Sequence, residues 1–314
     1  MAHCLVPAAE EMLDRELPVL DKGFVRLVDY MGGDARVVQA ARVSYGKGTK
    51  SFREDAALID HLLRNDHTSP FEQVILTFHI KLPIFVARQW IRHRTARVNE
   101  ISGRYSVMKD EFYIPRPEQV AFQSDDDRQG RSSAAAPDEL VSATLAKLGD
   151  GQRAAFSDYS ELIEAGIARE LARINLPLSL YTEWYWQIDL HNLFRFLALR
   201  LDSHAQLEIR VYAQRLLELA RAVAPACCSS FENHVLNGQR FSAQECAELT
   251  RRLGVAGSAG GGSGGDGSVG GGPVGGGSAV DGSVSGGDGS AGPPSLEGKA
   301  LERFEEKLRR LGKG

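Results

Sequence analysis

From Leu76 to Leu82 apolar and polar residues alternate, after an apolar start at Val74 and Ile75. Val74, Leu76, Phe78, Ile80 and Leu82 are apolar, while Gln73, Thr77, His79 and Lys81 are polar. A period of two buries one face and wets the other, so this stretch reads as a half-buried strand. Phe24–Tyr30 and Leu180–Ile188 are rich in β-formers and predict two more strands, with Trp184 and Trp186 in the core. Elsewhere helical spacing takes over. Asp34 is placed to cap a helix over Ala35–Arg42, and Glu54–Arg64 carries Ala57, Leu58 and Leu62 on one face. Pro83 opens a helix at its first turn, with Arg88 and Arg92 four apart on one face. Phe112–Pro117 is extended, and residues 123–137 form a polar, breaker-rich excursion. Glu139–Ala165 predicts one long helix or two, interrupted at Gly149–Gly151 and ended by Gly166. Ala168–Leu176 is a helix with Arg169 and Arg173 on one face, stopped by Pro177. His191–Leu201 and Ser203–Ala222 read as a helix and its continuation or bend. That places Arg200 and His204 at i and i+4, and Pro225 ends this part.

Between residues 256 and 292 the pattern dissolves into Gly, Ser, Ala, Val and Asp. Such a segment buries too little apolar area to offset its chain entropy, and reads as a flexible linker. After it, Leu301, Phe304, Leu308 and Leu311 restore an apolar stripe on a short helix, residues 295–312. This helix either docks on the core or on a neighbour, or is a piece that is marginal alone. Gly46–Lys50 lacks the Walker spacing and reads as a surface loop.

Composition narrows the picture. Apolar residues make up 43% of 314 residues, enough for a real core. The 37 basic and 41 acidic residues leave a net charge of −4, which argues against a nucleic-acid binder driven by bulk charge. The four cysteines show no metal spacing and no disulfide framework, which fits a reduced, cytoplasmic setting. The first residues carry early acids and no signal-peptide core, and no apolar run approaches membrane-span length.

The chemistry gathers at Gln89–Tyr105, which reads QWIRHRTARVNEISGRY. Arg92, His93, Arg94, Arg97 and Arg104, with Arg88 just before, crowd around one acid, Glu100. Guanidinium forks match phosphate oxygens in a bidentate way. Ser102 and Gly103 let a ligand approach the backbone. The plainer alternative is a solvated cationic face.

Arg92-His93-Arg94, seven residues and then Ser102 is a pattern that resembles the flavin-dependent thymidylate synthase family. The likeness runs from about Phe24 to Ala224. It includes Ala41–Ser44, His67 with Ser69–Glu72, Phe85–Trp90, Glu111–Pro115, Leu199–Arg200 and Asp202–Gln206. It implies a mixed α/β (α+β) domain over residues 21–250, after an N-terminal extension of residues 1–20. It also implies a homotetramer with sites shared between subunits. The implied activity converts dUMP to dTMP, with methylenetetrahydrofolate as one-carbon donor and NADPH-reduced FAD as hydride donor. The linker and the last helix fall outside this resemblance, and no function is assigned to them.

Residue by residue, the resemblance gives Arg200 the catalytic position. The dUMP contacts carry over to Gln89, Trp90, Ile91, Arg92, Glu100, Ile101, Ser102, Gly103, Arg104, Arg173 and Arg200. The FAD contacts carry over to Ser69, Arg92, His93, Arg94, Glu100, Asp189, Leu190, His191 and Arg195, and His67 positions flavin or folate. The family often has Asn, Arg and Asn where this chain has Asp189, His191 and Arg195, which changes the local flavin contacts. Methylation at uracil C5 needs that carbon made nucleophilic. One route adds a Cys thiolate at C6, but Cys4, Cys227, Cys228 and Cys246 all lie outside the Arg-rich core. The other holds a cation against N3 and its carbonyls, stabilising the ionised ring. Ser102 has no evident base beside it in sequence and reads as a binding residue. Two other readings stay open. One is a single-strand nucleic-acid module stacking bases on Trp90, Tyr105 and Tyr113. The other is a scaffold whose last helix recruits partners.

Overall fold

The alternating segment around Phe78 is the centre strand of a five-stranded antiparallel sheet. The computed structural model describes residues 5–45, 52–125, 130–253 and 296–311, and the chain divides into two units, Met1–Gly238 and Gln239–Gly314. In chain order the first unit contains α1 (Pro7–Glu10), β1 (Glu16–Val19), β2 (Gly23–Met31), α2 (Asp34–Ala41), α3 (Phe52–Arg64), β3 (Ile75–Pro83), α4 (Ile84–Trp90) and β4 (Arg97–Glu100). It continues through β5 (Ala121–Gln123), β6 (Arg131–Ala135), α5 (Asp138–Glu164), α6 (Arg169–Ala172), β7 (Tyr181–Asp189), α7 (Leu190–Arg200), α8 (Leu207–Val223) and α9 (Pro225–Phe231). The main sheet has the order β1-β2-β3-β7-β4, so this is a mixed α+β domain as expected.

Alternation decides which face is covered. Val25 and Leu27, then Leu76, Phe78, Ile80 and Leu82, then Trp184, Trp186 and Ile188 are all buried. A bulge between Leu27 and Asp29 shifts the register, and Tyr30 is again buried. The helices cover this face, with Leu193, Phe196 and Leu197 of α7 and Ile209, Tyr212 and Leu216 of α8 in the same core. Gly23 is needed here. A Cβ at Gly23 would lie 2.0 Å from the Tyr212 hydroxyl, which donates to the Lys81 carbonyl at 2.7 Å. At the centre sits Trp90, fully buried, with ring centroids of Phe196, Trp186 and Trp184 at 4.6, 5.2 and 5.7 Å. Among the described residues no helix is long and apolar enough to cross a membrane.

Several sequence expectations are corrected. The residues expected as an N-terminal extension, 1–20, include β1, an edge strand of the main sheet. The Asp34 carboxylate caps α9 rather than its own helix, accepting from the Ala226 and Cys227 amides at 2.8 and 3.0 Å. α8 does end just before Pro225, as expected, and Pro225 then starts α9. α4 stops at Trp90, so Arg88 and Arg92 do not share a helix face. α5 is unbroken through Gly149 and Gly151. Anchors just beyond the glycines hold it: Gln152 donates to the Tyr113 carbonyl at 3.0 Å, and Tyr159 takes the Met108 amide at 2.9 Å. Gly166, at φ 80°, does end that run. The excursion at 123–137 contains part of the β5–β6 hairpin. α7 ends at Arg200 because Asp202 turns the chain, accepting the His204 amide at 2.8 Å, so Arg200 and His204 are not stacked on one helix.

The second unit contains α10 (Ala243–Leu253) and α11 (Gly298–Leu311). Position 250, expected as a domain end, therefore falls inside α10. Phe304 of α11 is fully buried, with Phe241 edge-on at 6.3 Å and the Arg252 guanidinium 5.0 Å from its ring. Lys307 bonds both Glu245 oxygens at 2.7 Å, and Arg252 pairs with Glu305 at 2.6 Å. The apolar stripe thus packs within its own unit. The expected linker at 256–292 and the loop at Gly46–Lys50 lie outside the described residues.

Deleting the central ring tests this account. Trp90→Ala should cost about 3–5 kcal/mol of unfolding free energy, read as a lower urea midpoint with an unchanged slope.

Candidate active site

The burial of Trp90 fixes where α4 ends, and Gln89, His93 and Arg200 meet just beyond it. Arg200 closes α7. Its Nε donates to His93 Nε2 at 3.1 Å, and its Nη2 donates to the Gln89 carbonyl at 3.3 Å. These two bonds leave the Nη1–Nη2 edge of the guanidinium free to act as a fork. Arg200 is half-buried, burial lowers its pKa, and no carboxylate pairs with it among the described residues. His93 must be neutral to accept that bond. Burial, and then the nearby charges of Arg200 and Arg195, push its pKa down to about 4. Its ring meets Phe196 edge-on at 4.8 Å. A cleft of about 200 Å³ runs alongside, lined by Trp90, Ile91, His93, Arg94, Ala96, Val98, Trp184 and Trp186.

A second group forms at the far end of β4. The Glu100 carboxylate accepts the Thr182 hydroxyl at 2.6 Å, and the Ile101 amide bonds the Glu183 carbonyl at 2.9 Å. Gly103 is buried under Arg173. A Cβ there would lie 3.1 Å from Met108 Sδ, 3.2 Å from Arg173 Cδ and 3.3 Å from its Nη1, so any larger residue would have to push these side chains aside. Arg104 pairs with Glu170 at 3.2 Å, and Ser102 Oγ accepts the Arg104 amide at 3.3 Å. Ser102 has no histidine or acid hydrogen-bonded to its hydroxyl among the described residues, so nothing in reach would activate it as a nucleophile.

The third group surrounds the N-terminus of α7. Asp189 caps that helix, accepting the Asn192 amide at 2.9 Å and its side-chain amide at 2.8 Å. His191 and Arg195 follow one turn apart. The exposed His67 and Ser69 stand on a turn anchored by Phe71 against Phe194, 6.4 Å between ring centroids. Arg92 and Arg94 are exposed, and neither forms an ion pair among the described residues.

Two expected contacts need correction. The Trp90 and Leu190 side chains are fully buried, because the core needs them, so only their backbones could reach a ligand. Burial also removes Trp90 and Tyr113 as stacking platforms for single-stranded nucleic acid. Of that trio only Tyr105 is open, at 79%. Sequence reasoning gave no role to Gln206, Glu208 and Arg131. Glu208 is buried, accepts Tyr113 Oη at 3.0 Å and pairs with Arg131, while Gln206 bridges it to Gln89. The signal was present as a single acid on the otherwise apolar inner face of α8. Within the first unit, the two described cysteines do not suit the thiolate route: burial, and then the Asp34 charge, raise both the Cys227 and Cys228 thiols.

Fold and site together define an α/β protein with several guanidinium groups left without a carboxylate partner among the described residues, as a holder of phosphorylated ligands would have. The family described as "Thymidylate synthase complementing protein" matches residues 26–226. A flavin-dependent thymidylate synthase of Treponema denticola is 56% identical over 95% of this chain and 98% of its own. That of Treponema pallidum is 54% identical over 98% and 90%, respectively. The structure of a UMP/dUMP methylase, PolB from Streptomyces cacaoi bound with 5-Br dUMP, aligns with a TM-score of 0.62 at 30% identity, covering 70% of this chain and 98% of its own. The chain belongs to the flavin-dependent thymidylate synthase family. The last residues belong to the pattern too. A family described as "Thymidylate synthase ThyX C-terminal domain" matches residues 240–312, which corrects the expectation that they stand outside it.

His93 offers a direct check. Its native pKa, near 4, lies below the unfolded value of 6.5. Between those values the unfolded chain binds a proton that the native site refuses. Stability from this residue is therefore complete above pH 6.5 and declines as pH falls toward 4. His93→Gln keeps an acceptor but cannot titrate. Urea midpoints measured from pH 7 to 4 should fall less steeply in that variant than in the parent.

Proposed function

We propose that the chain carries out the reductive methylation of dUMP to dTMP, with methylenetetrahydrofolate as one-carbon donor and FAD, reduced by NADPH, supplying the hydride when bound. The observation that carries this reading is Arg200, a half-buried guanidinium with no counter-ion among the described residues and one free donor edge. A cation held this way stabilises negative charge drawn onto a pyrimidine's N3–carbonyl edge and so enriches C5. Neutral His93 keeps the guanidinium aimed without adding charge, and the Gln89 carbonyl fixes the second nitrogen. Arg92 and Arg173 bind the nucleotide phosphate, and the Ser102–Gly103 backbone passes close enough to meet it. Ile91, Glu100, Ile101 and Arg104 complete the dUMP wall.

The residues present fit FAD. Its diphosphate suits Arg92, Arg94 and Arg195, which are exposed and without a carboxylate partner among the described residues. Ser69, Glu100, the Leu190 backbone and His191 supply the remaining contacts, with His67 beside the flavin or folate. Asp189 supports that segment as a helix cap.

The proposed assembly is a homotetramer that shares its sites. Two observations support it. Glu100 stands opposite Trp184 and Asp189 opposite Ile75, so the nucleotide and flavin groups are separated by five residues of β7, about 17 Å. The edge strand β4 and its surroundings also expose Val98, Ile101, Leu171, Ile174 and Leu178. A cytoplasmic setting suits the free thiols of Cys227, Cys228 and Cys246.

The purified protein should be yellow and should release tritium from C5-labelled dUMP when given NADPH and methylenetetrahydrofolate. Arg200→Lys keeps the charge and loses the planar fork. It should lower turnover by about 100-fold or more while the flavin spectrum is unchanged. Full turnover in that variant refutes the role given to Arg200, and a colourless protein that shifts oligonucleotides on a gel favours the nucleic-acid reading.

A further inference from the structure

The loop that follows β4 has almost no apolar anchorage. From Ser102 to Val107 only Gly103, which has no side chain, is buried, while Tyr105 is 79% exposed and Val107 50%. A loop of this kind drifts unless polar bonds hold it. Both ends are held. The Ile101 amide donates to the Glu183 carbonyl at 2.9 Å, and the Met108 amide donates to the buried Tyr159 hydroxyl at 2.9 Å. Between these anchors the chain makes one tight turn, in which the Ser102 carbonyl accepts the Tyr105 and Ser106 amides, each at 3.0 Å.

Two polar bonds among the described residues tie this turn to α6. One is the Arg104–Glu170 pair, whose side chains are both more than half exposed, so water screens it and it contributes little. The other runs from Arg169 Nη1 to the Tyr105 carbonyl at 2.6 Å. It is a charge-assisted bond to a backbone atom, so it fixes the course of the chain itself. Arg169 forms no ion pair among the described residues. It stands one helical turn before Arg173, whose amide donates to the Arg169 carbonyl. Arg173 in turn covers Gly103. One turn of α6 thus holds the loop at Tyr105 and roofs it at Gly103.

We propose that Arg169 is a positioning residue for the nucleotide phosphate. It keeps the Ser102–Tyr105 turn in register with Arg173, so that the loop backbone and the Arg173 fork meet the same phosphate group. The inference rests on the reading of Ser102, Gly103 and Arg173 as phosphate contacts. Arg169 uses a single N–H on a carbonyl, a bond that an ammonium can replace. A guanidinium gripping phosphate as a fork is not replaced in that way. This difference separates positioning from direct contact.

The test uses the flavin-loaded full chain and follows tritium release from C5-labelled dUMP, with NADPH and methylenetetrahydrofolate saturating. In Arg169→Met the loop loses its tie, and KM for dUMP should rise about tenfold while kcat stays within about twofold. Arg169→Lys should return KM to within about threefold of the unchanged protein. Arg169 is exposed, so both variants should match the unchanged protein in melting temperature and flavin absorbance. An unchanged KM in Arg169→Met overturns the proposal, and so does a loss carried by kcat, by melting temperature or by flavin content instead. Arg169→Lys as impaired as Arg169→Met also overturns it, because the guanidinium would then touch phosphate itself. If the unchanged protein releases no tritium, the nucleotide reading beneath the proposal falls with it.

Discussion

One aromatic contact governs the geometry of the whole site. Phe196 packs against Trp90 at 4.6 Å and against His93 at 4.8 Å. It lies one turn before Arg200 on α7, on the same helical face. Burying Phe196 against Trp90 therefore delivers Arg200 onto the end of α4, above Gln89 and His93. The same Trp90 ring is locked between Trp184 and Trp186, the residues of β7 that pair with β4. A single packed cluster thus fixes the Arg200 guanidinium, the neutral histidine bonded to it and the strand leading to the Glu100–Arg104 loop. The side chains that make the site precise touch no ligand themselves.

The electrostatics follow the same division. Charged groups serving the fold are paired: Arg42 with Asp55 at 2.8 Å, Lys81 with Glu111 at 2.8 Å, Arg131 with Glu208. Arg92, Arg94, Arg173, Arg195 and Arg200 form no ion pair among the described residues. Folding leaves these cations without a carboxylate, so their donors are open to an anionic ligand. Neutral His93 adds no further charge beside Arg200 and Arg195. Were it protonated, it would add one more positive charge and take away the acceptor that holds Arg200.

Much of this was legible in the sequence, for identifiable reasons. The core strands could be read because alternation is a local signal, and β2, β3 and β7 all follow it. The arginine cluster was legible because its density is anomalous whatever the fold. Features set by distant partners were not. Asp34 looks like the cap of the helix that it begins, yet its carboxylate reaches α9, 192 residues away in sequence. Gly149 and Gly151 look like a break, but contacts at Gln152 and Tyr159 carry α5 across them. Trp90 carries a substrate-binding signature by position, and only its four aromatic neighbours show that the ring belongs to the core. Gln206 and Glu208 gave no local sign of acting on Gln89, because the connection runs through space.

The substitutions at the flavin-facing helix show how a local exchange is absorbed. An acid at position 189 would be unwelcome beside a diphosphate if its charge pointed outward. Here the carboxylate folds back onto the first turn of α7, where the Asn192 amide and the positive end of the helix dipole neutralise it. Position 195, one turn further, carries the cation instead, and Arg195 is close enough to His93 to help keep that imidazole unprotonated. The acid thus stabilises the helix that presents the cation, and the cation helps keep the histidine an acceptor for Arg200. A change that looks like a lost contact in the sequence is, in the folded chain, linked to what holds the Arg200 guanidinium in place.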